Sequence, residues 1–323
     1  MYNTRHMPTR QEGRVSVEEH VVFGTGGGRD LHCDVFLPPE PGSDRTAILL
    51  VHGGGWLQGD RSQLRGYGIL LARYGFVCVA SEYRLSGEAV WPAQINDVKA
   101  ALRWLRANAD HYGVDPTKIT VSGNSAGAHL ALMLAGLADG ELEGDGGHAD
   151  ASTDVAAVVA IYPPTQLRVG SHDDAIGLLL GGAVGREAED AASPLSYVHA
   201  GYPPTMLVHG NADTVVPVEA SFAMYRALVG AGAAVELHVF DGVPHAFDAA
   251  PDLGRQVADL IALFIDRKVR NQVRKAEKSA LTTEVGGRAL AGEFYHVFCR
   301  NMRDLGTPVY TPRLFETVLD TFP

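Results

Sequence analysis

Cysteine is scarce: Cys33, Cys78 and Cys299 are the only three in 323 residues. An odd, sparse set makes no disulfide framework. Cys33 and Cys78 fall in strand-like runs, where a free thiol behaves as a small hydrophobe. No apolar run approaches the roughly 18 residues that a membrane helix needs, so no membrane partner is expected. Runs such as 47–51 and 155–162 are short enough for buried strands. A basic excess is missing as well. The chain has 27 Lys and Arg against 38 Asp and Glu, a net charge of −11. That argues against a nucleic-acid partner, because phosphate contacts dominate such binding. The 13 histidines show no H-E-x-x-H or similar ligand spacing, so neither a metal nor another cofactor is expected. Residues 1–14 are polar and lack the apolar stretch of a signal peptide, which predicts a cytoplasmic protein.

What remains is ordinary globular usage. Hydrophobic residues make up 46% and charged residues 20%, which excludes a disordered chain and a coiled coil. Residues 15–23 and 31–37 read as a hairpin. The glycine-rich turn at 24–28 leads into a strand rather than a helix, so it is no dinucleotide fingerprint. Segments 77–80, 119–122, 206–209 and 235–240 join 47–51 and 155–162 as apolar runs of the kind that parallel strands show when covered on both faces. Between them, Ile95, Val98, Leu102 and Leu105 share one helical face, with Pro92 in the first turn. This alternation predicts an α/β fold with a mostly parallel central sheet and helices on both faces.

Two regions break the rhythm. Residues 139–154 read as an exposed Gly/Asp/Glu loop without calcium-loop spacing. Residues 166–201 are too long for a plain crossover and read as a small lid. The predicted organisation is a polar arm at 1–14, an α/β domain at 15–268 that carries this lid, and a helical extension at 269–323. From Arg267 onward ten basic and six acidic residues give +4, which leaves −15 for the rest. Leu290, Phe294, Val297, Phe298 and Leu305 form an apolar helical stripe there. It reads either as packing on the domain's own surface or as a homodimer contact.

The motif richest in chemistry is Gly123-Asn124-Ser125-Ala126-Gly127, between the strand at 119–122 and a helix. G-x-S-x-G in that setting makes a nucleophile elbow. The tight turn exposes Ser125 and is expected to force its φ positive. The helix N-terminus behind it favours negative charge. A glycine-rich turn with Ser as N-cap is the plainer reading. A second motif weighs against it: His52-Gly53-Gly54-Gly55-Trp56 follows the strand ending at Val51. Its glycines let backbone N–H groups come close to a ligand. Gly54, Gly55 and Ala126 are the candidate oxyanion donors. His52 is expected to anchor the loop by hydrogen bonding rather than to move protons.

A serine hydroxyl needs a base, and the base an orienting carboxylate. In the Ser, acid, His order of this elbow type, Asp213 and His245 fill those places. Each lies in a loop just past a strand, at the sheet edge where open α/β proteins bind ligands. Asp241 is too near His245 in sequence to face it easily. His209 and His129 read as packing residues, and Asp97 as a solvated or hydrogen-bonded one. Trp56 and Trp91 are candidate walls of a substrate pocket, although tryptophan more often serves the core.

In this order, His52-Gly53-Gly54-Gly55-Trp56, Tyr83-Arg84-Leu85, Gly123-Asn124-Ser125-Ala126-Gly127, Asp213 and His245 resemble the α/β-hydrolase superfamily. More narrowly they resemble the hormone-sensitive-lipase-like esterases and the bimodular feruloyl-esterase-like group. Trp56-Leu57-Gln58-Gly59-Asp60-Arg61 and Ala192-Ser193-Pro194-Leu195-Ser196 look closer to the second. The resemblance covers residues 21–267 and implies a Ser125–Asp213–His245 triad with oxyanion donors at Gly54, Gly55 and Ala126. Two features depart from it: Asn124 stands where the lipase-like members usually carry an acid, and the tail lies outside the pattern.

The expected activity is hydrolysis of a small-molecule carboxylic ester through an acyl-enzyme. A lid of about 36 residues by its ends suggests short or compact acyl groups. An arylformamidase-like amidase is the second reading. A non-catalytic ligand-binding relative is the third, and the presence of all three triad members speaks against it.

Overall fold

The computed structural model describes residues 8–168, 174–182 and 185–266, with positions 291–292, 294–295, 298–299 and 311–313 in the extension. The chain divides into two units, Met1–Arg267 and Lys268–Pro323.

The first unit is built on eight strands: β1 (Ser16–Gly26), β2 (Arg29–Leu37), β3 (Arg45–Val51), β4 (Val77–Ser81), β5 (Val114–Asn124), β6 (Ala157–Ile161), β7 (Thr205–Gly210) and β8 (Val235–Phe240). Their spatial order is β1-β2-β4-β3-β5-β6-β7-β8. β2 pairs antiparallel with β1 and β4, and every other pairing is parallel. The helices are α1 (Arg65–Ala72), α2 (Ala93–Ala107), α3 (Ala126–Gly136), α4 (Asp174–Leu179), α5 (Arg186–Ala191), α6 (Glu219–Gly230) and α7 (Pro251–Ile265). The α/β-hydrolase architecture expected from the motifs is therefore present.

Period-2 alternation sorts the buried side chains onto two faces. Ala47, Leu49 and Val51 pack with Ile95, Val98 and Leu102 of α2 and with α3. Ile48 and Leu50 pack with Leu71 of α1 and with Val257 and Ile261 of α7. Burial on both faces is why these strands read as unbroken apolar runs.

Two local expectations shift. β1 continues to Gly26, because Gly26 still pairs with Arg29, so the turn shrinks to Gly27 and Gly28. Pro92 precedes α2 as its N-cap residue rather than lying in its first turn, with φ −99° and ψ 23°. The 139–154 loop is mostly exposed but fastened to α2. The buried Lys99 ammonium reaches Glu143 (2.6 Å) and the Glu141 carbonyl (2.5 Å). Arg103 pairs with the same carboxylate, and Arg106 donates to the Ser152 and Asp154 carbonyls.

Between β6 and β7 the lid-like insertion carries α4, α5 and a 3-10 turn at Pro194–Tyr197. In the second unit, Phe298 lies near Phe294 (6.1 Å) and Tyr295 (6.4 Å between ring centroids), the spacing of helical neighbours. Leu290, Val297 and Leu305 of the predicted stripe lie outside the described residues, and so does most of the predicted dimer contact. Among the described residues no helix is long and apolar enough to cross a membrane.

Candidate active site

β3, β5, β6, β7 and β8 run parallel, so the loops leaving them open at one sheet edge. Strand ends are in register there: Val51 pairs with Gly123, Asn124 with Ile161, and Gly210 with Phe240. Four loops from distant parts of the chain meet as a result.

Ser125 joins β5 to α3 with φ 52° and ψ −120°, the positive φ that the elbow requires. Backbone bonds hold it there. Its N–H donates to Ile161 (2.9 Å) and its carbonyl accepts from His129 (3.0 Å). Its Oγ lies 2.9 Å from His245 Nε2. His245 Nδ1 lies 2.6 Å from Asp213 Oδ2. A carboxylate only accepts, so Nδ1 carries the proton and Nε2 is left to accept from the serine hydroxyl. The Asp213 carboxylate is fully buried, and its other oxygen accepts from the N–H groups of Val215 and Val216 (2.9 Å each). Asp241 instead accepts from Asn211 Nδ2 (2.8 Å).

His209, read as packing, also touches Asp213. Its Nε2 lies 3.3 Å from Asp213 Oδ2 and 2.9 Å from the Val216 carbonyl. Its Nδ1 pairs with the Ser221 hydroxyl at 2.7 Å. Burial pushes its pKa down, keeping it neutral. The signal available in the sequence was the spacing His209-x-x-x-Asp213 around a strand end.

The glycine loop lies against the elbow. A Cβ on Gly53 would sit 2.9 Å from the Asn124 carbonyl oxygen and 3.3 Å from Ser125 Cβ, so only glycine permits this approach. The N–H groups of Gly54 and Gly55 have no backbone acceptor among the described residues. That of Ala126 is an unpaired donor of the first turn of α3. The loop is pinned from behind. Tyr83 Oη donates to the His52 carbonyl (3.0 Å) and Ser86 N–H to the Trp56 carbonyl (2.8 Å). Arg84 fastens this segment to α2 through Asp97 (2.8 and 2.9 Å). The buried His52 ring stacks on Tyr83 (centroids 4.3 Å, 11°), with Nδ1 2.8 Å from the Gly53 carbonyl.

Trp56 is only 4% exposed. Its Nε1 donates to His129 Nδ1 (3.3 Å), and His129 Nε2 donates to the Ala192 carbonyl (2.7 Å). Trp91 is half-buried and meets the same imidazole edge-on at 5.8 Å. His129 thus ties α3 to the glycine loop and the lid, and burial lowers its pKa to about 4. Two further side chains, Tyr162 and Asp248, carry no sequence motif. The Tyr162 ring lies 4.6 Å from the His245 ring, tilted by 60°.

The BD-FAE family model matches residues 33–228, a span that includes Ser125 and Asp213. Esterase LipQ of Mycobacterium tuberculosis is 34% identical over 278 residues, 82% of this chain and 66% of LipQ. Esterase LipC of the same organism is 33% identical over 257 residues, 75% of this chain and 62% of LipC. This chain therefore spans less than two thirds of the length of these curated relatives. Among solved structures, a truncated carbohydrate esterase from gut microbiota superposes with TM-score 0.69 at 26% identity, covering 81% of this chain and 99% of that one. Thermogutta terrifontis esterase 2 gives 0.64 at 30% identity, covering 80% and 93%. With the family model spanning more than half of its residues and the hydrolase sheet carrying a serine elbow, the chain belongs to the BD-FAE family, the feruloyl-esterase-like group of the α/β hydrolases.

Proposed function

We propose that the protein is a serine carboxylesterase acting on compact small-molecule esters. The observation that carries this is the unbroken chain Ser125 Oγ, His245, Asp213, at 2.9 and 2.6 Å, beside the unpaired N–H groups of the glycine loop. His245 Nε2 takes the Ser125 proton as Oγ attacks the ester carbonyl. The carbonyl electron pair moves onto oxygen, which Gly54, Gly55 and Ala126 receive. The intermediate collapses, His245 protonates the departing alcohol, and water cleaves the acyl-enzyme by the same route. Asp213 holds the imidazole in the reactive tautomer, so Asp213→Asn is expected to lower kcat by about 10⁴-fold. Steady-state kinetics on an activated ester check this; a loss under tenfold contradicts the assigned role.

Compact substrates fit the insertion. α4 lies close over the glycine loop, and a Cβ on Gly55 would be 3.9 Å from Ala175 Cβ. Thermogutta esterase 2 is known with propionate bound and phosphonylated by cyclosarin, which agrees with a reactive serine and a short acyl site here.

The test is a p-nitrophenyl ester series from acetyl to dodecanoyl. Activity is expected to peak at the short chains. A peak at dodecanoyl overturns the compact-acyl reading. No turnover on any ester, with turnover of formyl amides, overturns the esterase in favour of an amidase.

A further inference from the structure

Behind His245 lies a buried polar cluster that the ester chemistry above does not use. Asp248, three residues after His245, is 9% exposed. Both of its oxygens are taken by tyrosines. Tyr162 Oη donates to Oδ1, and Tyr67 Oη from α1 donates to Oδ2 at 2.8 Å. No Lys or Arg pairs with it among the described residues. Asn124, the neighbour of Ser125, donates from Nδ2 to Tyr162 Oη (3.2 Å). Burial and the nearby carboxylate keep both tyrosines protonated. Tyr162 has φ 41° at the end of β6, and its ring lies 4.6 Å from the His245 ring. A cation within about 6 Å of a ring centroid is attracted by the ring's electrons, and a phenol bonded to a carboxylate is electron-rich. The cluster also explains Asn124. An amide donates to the Tyr162 hydroxyl; a carboxylate there would compete with Asp248 for its proton.

We propose that Tyr162, with Asp248 on its hydroxyl, is a positioning residue for His245. It holds the imidazole between Ser125 and Asp213 and favours its cationic form as the serine proton arrives. This rests on the serine-esterase reading. The ionisable groups around His245 are Asp213 and His209 from the β7 side, Tyr162 from β6, and Asp248 from its own loop, with Tyr67 behind Asp248.

The test compares Tyr162→Phe, Asp248→Asn and Tyr67→Phe in the full chain. Tyr162→Phe keeps the ring and removes the hydroxyl; Asp248→Asn keeps the shape and removes the charge. Each is expected to lower kcat about threefold to thirtyfold, with KM within about twofold. The acid limb of the kcat/KM profile moves to lower pH, because the cationic imidazole has lost support. Tyr67→Phe removes a hydroxyl from the same carboxylate but does not touch His245, so it changes kcat less than about twofold. Equal losses in the two Phe variants with an unmoved acid limb make the cluster merely structural and overturn the proposal. Wild-type kcat in both Tyr162→Phe and Asp248→Asn also overturns it. Asp248→Asn carries the same comparison if Tyr162→Phe folds poorly. Ser125→Ala, run alongside, separates the two levels: full activity there removes the esterase reading itself, whereas an inactive Ser125→Ala beside wild-type-like Tyr162 and Asp248 variants removes only this proposal.

Discussion

Ser125→Ala is expected to lower kcat on p-nitrophenyl acetate by about 10⁶-fold and to leave the melting temperature within roughly two degrees of the wild type. The size follows from the geometry. The hydroxyl lies 2.9 Å from His245 Nε2, and its loss removes the group that the imidazole would activate. The fold loses little, because Ser125 is held through backbone bonds to Ile161 and His129 that alanine keeps. Residual turnover then comes from substrate binding and the N–H donors of Gly54, Gly55 and Ala126. A fluorophosphonate label on the wild-type chain and none on the variant checks the assignment independently. Variant activity within tenfold of the wild type sinks it.

Gly127→Ala is expected to cost about 3 kcal/mol or more of stability and at least about a hundredfold in kcat/KM. A Cβ there would lie 2.1 Å from the Val51 carbonyl oxygen and 2.5 Å from that of His52. Both are backbone atoms, so no side chain can swing aside. Val51 is fully buried in the middle of the sheet and pairs with Gly123. The first turn of α3 must therefore lift, or the strand end that carries the glycine loop must shift. Either movement displaces Ser125 relative to Gly54 and Gly55, and displacements of about 1 Å are costly in catalysis. Chemical denaturation and ester kinetics on the same preparation measure both effects. Unchanged stability contradicts the close packing of α3 on β3.

The eight strands and the α2 face were legible because burial writes a local period into a strand or helix. Ala47 to Val51 is apolar at every position because α2 and α3 cover one face and α1 and α7 the other. The elbow and glycine loop were legible because tight backbone approach demands glycine at set positions. Asp213 and His245, which the structure places beside Ser125, were reached through chain order and strand ends. The anchoring of His52 and the hydrogen-bonded state of Asp97 also followed from their settings, the latter as a two-pronged pair with Arg84.

Sequence alone therefore determined the strands, the edge and the motif residues at it, since each depends on neighbours a few positions away. Tertiary structure decided the partners. His209 read as packing, yet the turn from β7 through Val216 folds its Nε2 back onto Asp213. Trp56 read as either pocket wall or core, and the structure gives its buried indole a partner in His129. Asp248 and Tyr162 stand 86 residues apart, and no motif includes either. They meet, and Tyr162 meets His245, only because parallel pairing brings the ends of β6, β7 and β8 to one edge. A side chain's chemical role depends on groups brought near by that pairing, and separation along the chain carries no trace of it.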